Sequence, residues 1–230
     1  MLIRILPEFV TIVVGVLVAL QVESWRDARE ASGRELEQLV GLRSDFAANR
    51  ERYESTMLDQ ERMIRLSRAL LIVIDQKESV PSDSVALMFD SGATSWYEVE
   101  PVTGAYDALI ASGDIGLLGD VELRRRLAEF YGDIAAGFED HDNLMDILFE
   151  LERETAPQLF VLAPRLVRDR YGLLPVDASS AASAIVGNDR FAGLLFLKTR
   201  LEELRLDRQK RGAEAVEIIL ELIDNSLGEH

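Results

Sequence analysis

Apolar residues fall along this chain in two ways: one nearly continuous run near the N-terminus, and then positions spaced three and four apart. Between Arg4 and Glu23 the run Ile5–Val22 is broken only by Pro7, Glu8, Thr11, Gly15 and Gln21. Its 18 residues at about 1.5 Å each give roughly 27 Å, close to one hydrocarbon thickness, so the pattern predicts a membrane-spanning helix. Pro7 suits the first helical turn, where its missing N–H costs nothing, and Glu8 beside it sits near the positive end of the helix dipole. Trp25, followed by Arg26, is the amphipathic ring and charge expected where a spanning helix leaves lipid, and is read as the interface anchor. A cleaved secretory signal is the rival reading, but no small-x-small pair precedes a cut after Leu20 and the helical pattern continues through Trp25. Thr11, Gly15 and Ala19 recur every fourth residue, with Glu8 a turn earlier on nearly the same face. That spacing predicts a contact face for a neighbouring membrane helix; the plainer account is that small residues are common in such helices.

After the run, Glu23–Gln76 contains no proline, and Leu36, Leu39, Val40, Phe46, Tyr53, Met57, Ile64 and Leu71 follow the three-four spacing of a buried helical stripe. The spacing predicts one long helix continuing the anchor, with a coiled-coil-like seam that Arg43 and Arg50 interrupt. Residues 77–103 carry Pro81, Gly92 and Pro101, which break the pattern into a short helix near 82–90 and irregular chain, pinned to the rest by Trp96 and Tyr97. Thr103 is expected to cap a short helix over 104–112 ended by Gly113. Asp120 is expected to cap a second long helix with the stripe Leu123, Leu127, Phe130, Ile134, Phe138, Met145 and Leu148. Beyond Pro157 and Pro164 come a short helix and a loop from Leu174. Asn188 or Asp189 then starts a final helix through Leu194, Leu197, Leu201, Leu204, Val216, Ile219 and Leu222. No segment alternates as a strand would. The expected fold is all-α: residues 1–25 an anchor, and residues 26–230 an antiparallel helical bundle of three long helices and shorter connecting ones.

Composition narrows the function. Nearly all of the net charge of −16 lies outside the first 23 residues, so the body should repel phosphate backbones and nucleic acid is not an expected partner. Cysteine is absent, which removes disulfides, thiolate nucleophiles and thiolate metal sites together. Only Lys77, Lys198 and Lys210 are lysines, and the arginines are spread, so no binding patch is read from them. No phosphate loop, nucleophile elbow or zinc helix occurs, and the glycines of Gly113–Gly119 do not match a dinucleotide fingerprint. No enzyme activity, cofactor or metal is therefore expected. Glu139-Asp-His-Asp142 reads as a solvated helix face, since consecutive helix residues point in different directions. His141 lies seven residues from both Ile134 and Leu148, on or beside the apolar stripe. With Arg43, Arg50 and Arg208, which interrupt apolar series mid-helix, it defines a candidate polar layer in the bundle, weighed against arginine stems lying along a helix edge.

Two segments carry a resemblance: Pro7-Glu8-Phe-Val-Thr-Ile-Val-Val-Gly15-Val-Leu-Val-Ala19-Leu-Gln21-Val-Glu-Ser-Trp25, and Gly104-Ala-Tyr106-Asp-Ala-Leu-Ile-Ala-Ser112-Gly113 continued by Leu123 to Tyr131. Together they resemble the signature of an uncharacterised family of bacterial single-pass, membrane-anchored helical proteins, a domain of unknown function. The resemblance implies a cytoplasmic N-terminus and a periplasmic body at the inner membrane, and it carries no activity. The local charges point the other way, with Arg4 on one side against Arg26, Arg29 and Arg34 on the other. The function expected from these features is a non-enzymatic scaffold or accessory subunit of a membrane complex, with lipid and a second copy or other membrane subunits as partners. A periplasmic sensory or small-ligand-binding bundle is the alternative. A carboxylate-only enzyme, with pairs such as Glu98 and Glu100, is a third reading that only a pocket gathering several acids would support.

Overall fold

The computed structural model describes the backbone of residues 5–162, 171–172 and 177–228, and the side chains of the same residues except 5–13 and 137–140. The expectations at Pro7, Glu8, Thr11, Phe138, Glu139 and Asp140 therefore concern side chains outside the described residues, and Pro164 and Leu174 lie outside them altogether. Among the described residues every regular element is helical: α1 (Ile5–Gln76), α2 (Ser82–Met88) running into a π-turn (Phe89–Ala93), α3 (Gly104–Ser112), a 3-10 turn (Asp114–Leu117), α4 (Val121–Glu154), α5 (Ala156–Leu162), α6 (Ser179–Val186) and α7 (Asp189–Gly228). The all-α expectation holds, and α1, α4 and α7 are the three long helices. Among the described residues no helix is long and apolar enough to cross a membrane.

Helix ends follow local chemistry. Asp120 Oδ1 accepts the backbone N–H groups of Glu122 (2.7 Å) and Leu123 (3.1 Å), and Asn188 Oδ1 accepts that of Phe191 (2.9 Å), so both long helices start on the side chains that the sequence marks. Gly113, at φ 77°, closes α3 in the left-handed conformation. Thr103 does not cap α3: its hydroxyl donates to Asp107 (2.7 Å), and the orphan N–H of Ala105 goes instead to Asp45 Oδ2 on α1 (2.7 Å). The cap is supplied from across the packing interface, which a local motif cannot show. α1 ends with Lys77 at φ 50°. There the N–H of Lys77 reaches Ile74 O (3.3 Å) and that of Glu78 reaches Val73 O (3.1 Å), the paired bonds of a Schellman ending without the usual glycine.

The chain divides into two compact units: Met1–Ala48 with Val102–Ala128 and Ile218–His230, and Asn49–Pro101 with Glu129–Glu217. In the first unit, Leu39, Leu42 and Phe46 of α1, Leu109 of α3, Leu123 and Leu127 of α4, and Ile219 and Ile223 of α7 are buried. The segment leading into α4 descends against α1, with Asp45 bonded to Ala105 and, lower down, Glu35 Oε1 accepting the N–H of Gly119 (2.6 Å). Arg43 pairs with Asp224 of α7 at 2.6 Å.

In the second unit α1 and α7 run antiparallel, since Arg50 pairs with Glu217, Lys210 with Glu61, and Arg68 with Glu203. α4 runs parallel to α1, because Tyr53 meets Phe130 (ring centroids 6.4 Å apart) near one end while Leu70 and Leu151 share a core cluster at the other. The expected antiparallel arrangement thus fails for this pair. A long connection, α2 to the 3-10 turn, takes the chain back before α4 begins, whereas antiparallel neighbours are joined by short loops. That cluster, with Phe89, Ile185, Phe191 and Leu195, is the main apolar core of the unit. Each fully buried large side chain there contributes about 1.5–3 kcal/mol.

The buried faces carry a sevenfold register, with Ile64 and Val73 on α1 and Leu194, Thr199 and Leu206 on α7 buried beside it. On α1 of the second unit they are Asn49, Tyr53, Gln60, Met63, Ser67, Leu70 and Ile74. On α7 they are Phe191, Leu195, Lys198, Glu202, Arg205, Gln209 and Val216. Alternating steps of three and four are the spacing of a coiled-coil seam, and polar residues hold its central positions on both helices.

Candidate functional site

The buried charges of the second unit come from α7. Lys198, Glu202 and Arg205 follow one another by four and three residues, which places all three on the inward face of the helix, and none is more than 8% exposed. Lys198 Nζ donates to the carbonyls of Gly92 (2.6 Å) and Ser95 (2.8 Å) and lies 3.0 Å from Met63 Sδ. The π-turn makes this possible. Thr94 and Ser95 hydroxyls both fold back onto Asp90 O (2.9 and 2.8 Å), which turns the backbone so that the carbonyls of Gly92 and Ser95 converge on one ammonium. Such single π-turns often mark sites where a helix is bent for a purpose.

Gly92 is required by close approach: a Cβ there would fall 2.8 Å from Ser67 N and 3.0 Å from the Leu66 carbonyl carbon on α1. Because those are backbone atoms, the neighbour cannot yield.

Glu202 Oε2 accepts from Gln60 Nε2 (2.8 Å) and from Arg205 Nη1 (3.1 Å), while Oε1 has no donor. Burial raises the Glu202 pKa against the opposing pull of Arg205, Lys198 and the Gln60 bond. Burial also lowers Lys198 to about 8, with Glu202 raising it and Arg205 lowering it further. Arg205 reaches outward as well, with Nη2 3.8 Å from Glu98 Oε1. The other oxygen of Glu98 is 2.8 Å from His141 Nδ1. That approach lies off the line of a hydrogen bond and becomes an ion pair when the ring is protonated. The edge of His141 meets Trp96, centroids 5.5 Å apart.

The sequence-predicted polar positions divide. His141 enters this network, as its place seven residues from Ile134 and Leu148 anticipates. Arg43 and Arg50 lie at the surface, paired with Asp224 and Glu217 at 2.6 Å each. Arg208 is half-buried on α7 and has interactions of its own. The sequence reading missed Lys198, Glu202, Arg205, Gln60 and Gln209. A signal was present: continuing the register of Phe191 and Leu195 by sevens lands on Lys198, Arg205, Glu202 and Gln209.

A groove of about 390 Å³ lies between α1 and α7 of this unit. Ile64 and Leu206 form its floor, and Glu61, Arg65, Arg68, Glu203, Asp207 and Lys210 its rim. Two of the rim pairs are closed, Lys210 on Glu61 (3.2 Å) and Arg68 on Glu203 (2.8 Å). None of its lining residues belongs to the His141 network. Among the described residues no group of three or more His, Asp or Glu side chains is placed to hold a metal ion.

The N-terminal part of α1 presents the opposite chemistry. From Val14 to Glu30 every residue is exposed, and Val14, Val16, Leu17, Val18, Leu20 and Val22 are each 52–59% exposed. A Cβ on Gly15 would meet nothing within 4 Å, and Ala19 is exposed like its neighbours. Trp25 is 63% exposed, with Arg29 lying 5.5 Å over its ring. Comparison of the chain with protein-family models, curated proteins and solved structures finds no match to any of them.

Proposed function

We propose that the chain is a membrane-anchored helical scaffold or accessory subunit of a membrane complex, held in a bacterial inner membrane by residues 5–22 with its helical body in the periplasm. The observation that carries this reading is the bare apolar collar from Val14 to Val22, exposed on every side of α1. Water would charge roughly 25 cal/mol for each Å² of that surface, and soluble monomers rarely present apolar surface around a whole helix. Lipid removes that cost, and the sequence extends the same apolar character back to Ile5. Trp25 and Arg29 stand where the helix would meet the headgroups. The side of the membrane follows from the family resemblance of the anchor and of the Gly104–Gly113 segment.

The assembly part of the proposal rests on Gly15 and Ala19, small and unobstructed on one face of the collar. The test is gentle isolation of the full chain from native membranes with crosslinking, for the parent and for the double variant Gly15→Leu with Ala19→Leu. Since among the described residues nothing lies within 4 Å of a Cβ on Gly15, leucine there leaves the body folded. The expected result is an assembly in the parent that the double variant loses. A monomer without co-purifying partner, or release of the chain by an alkaline wash, overturns the proposal.

A further inference from the structure

Residues 94–101 run between the π-turn and α3 without regular secondary structure, part exposed along their length. Basic side chains from three helices hold this strap. Lys198 of α7 grips the carbonyl of Gly92 in the π-turn and that of Ser95 at the start of the strap. His141 of α4 and Arg205 of α7 flank the Glu98 carboxylate at 2.8 and 3.8 Å. Arg52 of α1 donates to Glu100 O. In a chain of net charge −16, Lys198, Arg205 and Arg52, with the imidazole of His141 beside them, form a groove rich in cations, and the chain fills it with its own acidic segment, Glu98-Val-Glu100. The apolar hold is smaller: Tyr97 packs on the cluster of Met63, Ile64 and Leu206, while Trp96 stays 44% exposed.

We propose that residues 94–101 act as a built-in competitor, a strap that lifts from the Lys198/Arg205/His141/Arg52 groove so that an extended acidic peptide of a partner protein takes its place. The groove selects that ligand by chemistry. It offers charge-assisted donors to backbone carbonyls and to one carboxylate, which an extended peptide with a glutamate or aspartate supplies and an apolar helix does not. Glu202 beneath Lys198 is bonded by Gln60 and Arg205, and its single carboxylate is outnumbered by Lys198, Arg205 and Arg52, so the groove stays net positive toward the strap. Helices around it fold through their own ladders, whereas the strap is held by a few charge-assisted contacts and the packing of Tyr97, so it is the element that can leave without unfolding the unit. This inference does not depend on the membrane reading.

The test uses the full chain in detergent, in a Trp25→Phe background that leaves Trp96 as its single tryptophan. Glu98→Gln weakens the strap and leaves Lys198, Arg205, Arg52 and His141 in place. The probe is a fluorescein-labelled peptide with the sequence of residues 92–101, followed by anisotropy. The expected result is a shift of Trp96 emission to the red in Glu98→Gln before peptide is added, and peptide binding at least about tenfold tighter than in the parent, because the competent fraction rises. Adding Arg205→Gln, with helicity verified by circular dichroism, should then abolish the gain. Equal binding by parent and Glu98→Gln, no binding by Glu98→Gln, or unchanged Trp96 emission overturns the proposal.

Discussion

The ring of Tyr53 occupies the place where a side chain on Gly212 would have to go: a Cβ built on that glycine falls 2.7 Å from Tyr53 Cε1 and 2.8 Å from its hydroxyl oxygen. Gly212 sits in the interior of α7, where replacing glycine by alanine ordinarily gains about 1 kcal/mol of helix propensity. Displacing a buried ring costs about 1–3 kcal/mol, so the clash wins. Gly212→Ala is expected to lower the melting temperature, and Tyr53→Leu in the same chain to restore part of the loss, as a double-mutant cycle would show.

Gly92→Ala is expected to be worse tolerated, because the obstacle is the backbone of Ser67 and Leu66 and cannot rotate away. A loss above about 2 kcal/mol in denaturant unfolding is expected, accompanied by movement of the carbonyl that Lys198 holds. If the variant unfolds at the parent midpoint, the close approach of the π-turn to α1 is not as described.

Stability should peak in mild alkali. Lys198 is lowered to about 8 from an ordinary 10.5, so between those values the unfolded chain holds a proton that the native state has lost, and stability rises with pH. Tyr53 is raised to about 12 from an ordinary 10 by burial and then by the charge of Asp133. Above pH 10 the native state is therefore the one keeping the proton, and stability falls. Lys198→Met should flatten the rising limb and leave the falling one, measured as denaturation midpoints at successive pH values.

Lys77 carries a left-handed backbone, φ 50°, at the end of α1, where a Cβ costs about 1–2 kcal/mol. Lys77→Gly is expected to stabilise the protein by up to about 1 kcal/mol, since the added freedom of the unfolded glycine offsets part of the gain. A lowered melting temperature would contradict the Schellman ending.

Asp45 supplies the N–H partner that α3 lacks from its own Thr103. Asp45→Ala should cost about 1 kcal/mol, the usual value of a lost helix cap, whereas Thr103→Ala should cost less. The reverse order in thermal melts would restore Thr103 as the cap.

Helices and their starts were legible because they depend on neighbours in sequence: Asp120, Asn188 and Gly113 act on residues within a turn. The seam was legible only where it is apolar. Leu39, Phe46 and Tyr53 belong to it, but its second row runs through Leu42, Asn49, Met63 and Leu70, one position away from Arg43 and Arg50, because Asn49, Gln60 and Ser67 read as surface residues. On α7 the stripe holds at Leu194, Val216 and Ile219, which are buried, and fails between them. Leu197 and Leu204 are 52% and 58% exposed while Lys198 and Arg205 point inward. Hydrophobicity alone cannot see a buried cation whose partners, Gly92, Ser95 and Glu98, lie about a hundred residues away.

The burial of Lys198 shields one of the chain's three lysines from amine-directed reagents. Of its lysines, Lys77 is exposed and Lys210 about half exposed, and both should acylate readily. Lys198 can be reached only when the segment over it moves. Its rate of acetylation, read peptide by peptide in a mass spectrometer, is thus an internal clock for the opening of this layer, and it needs no engineered probe.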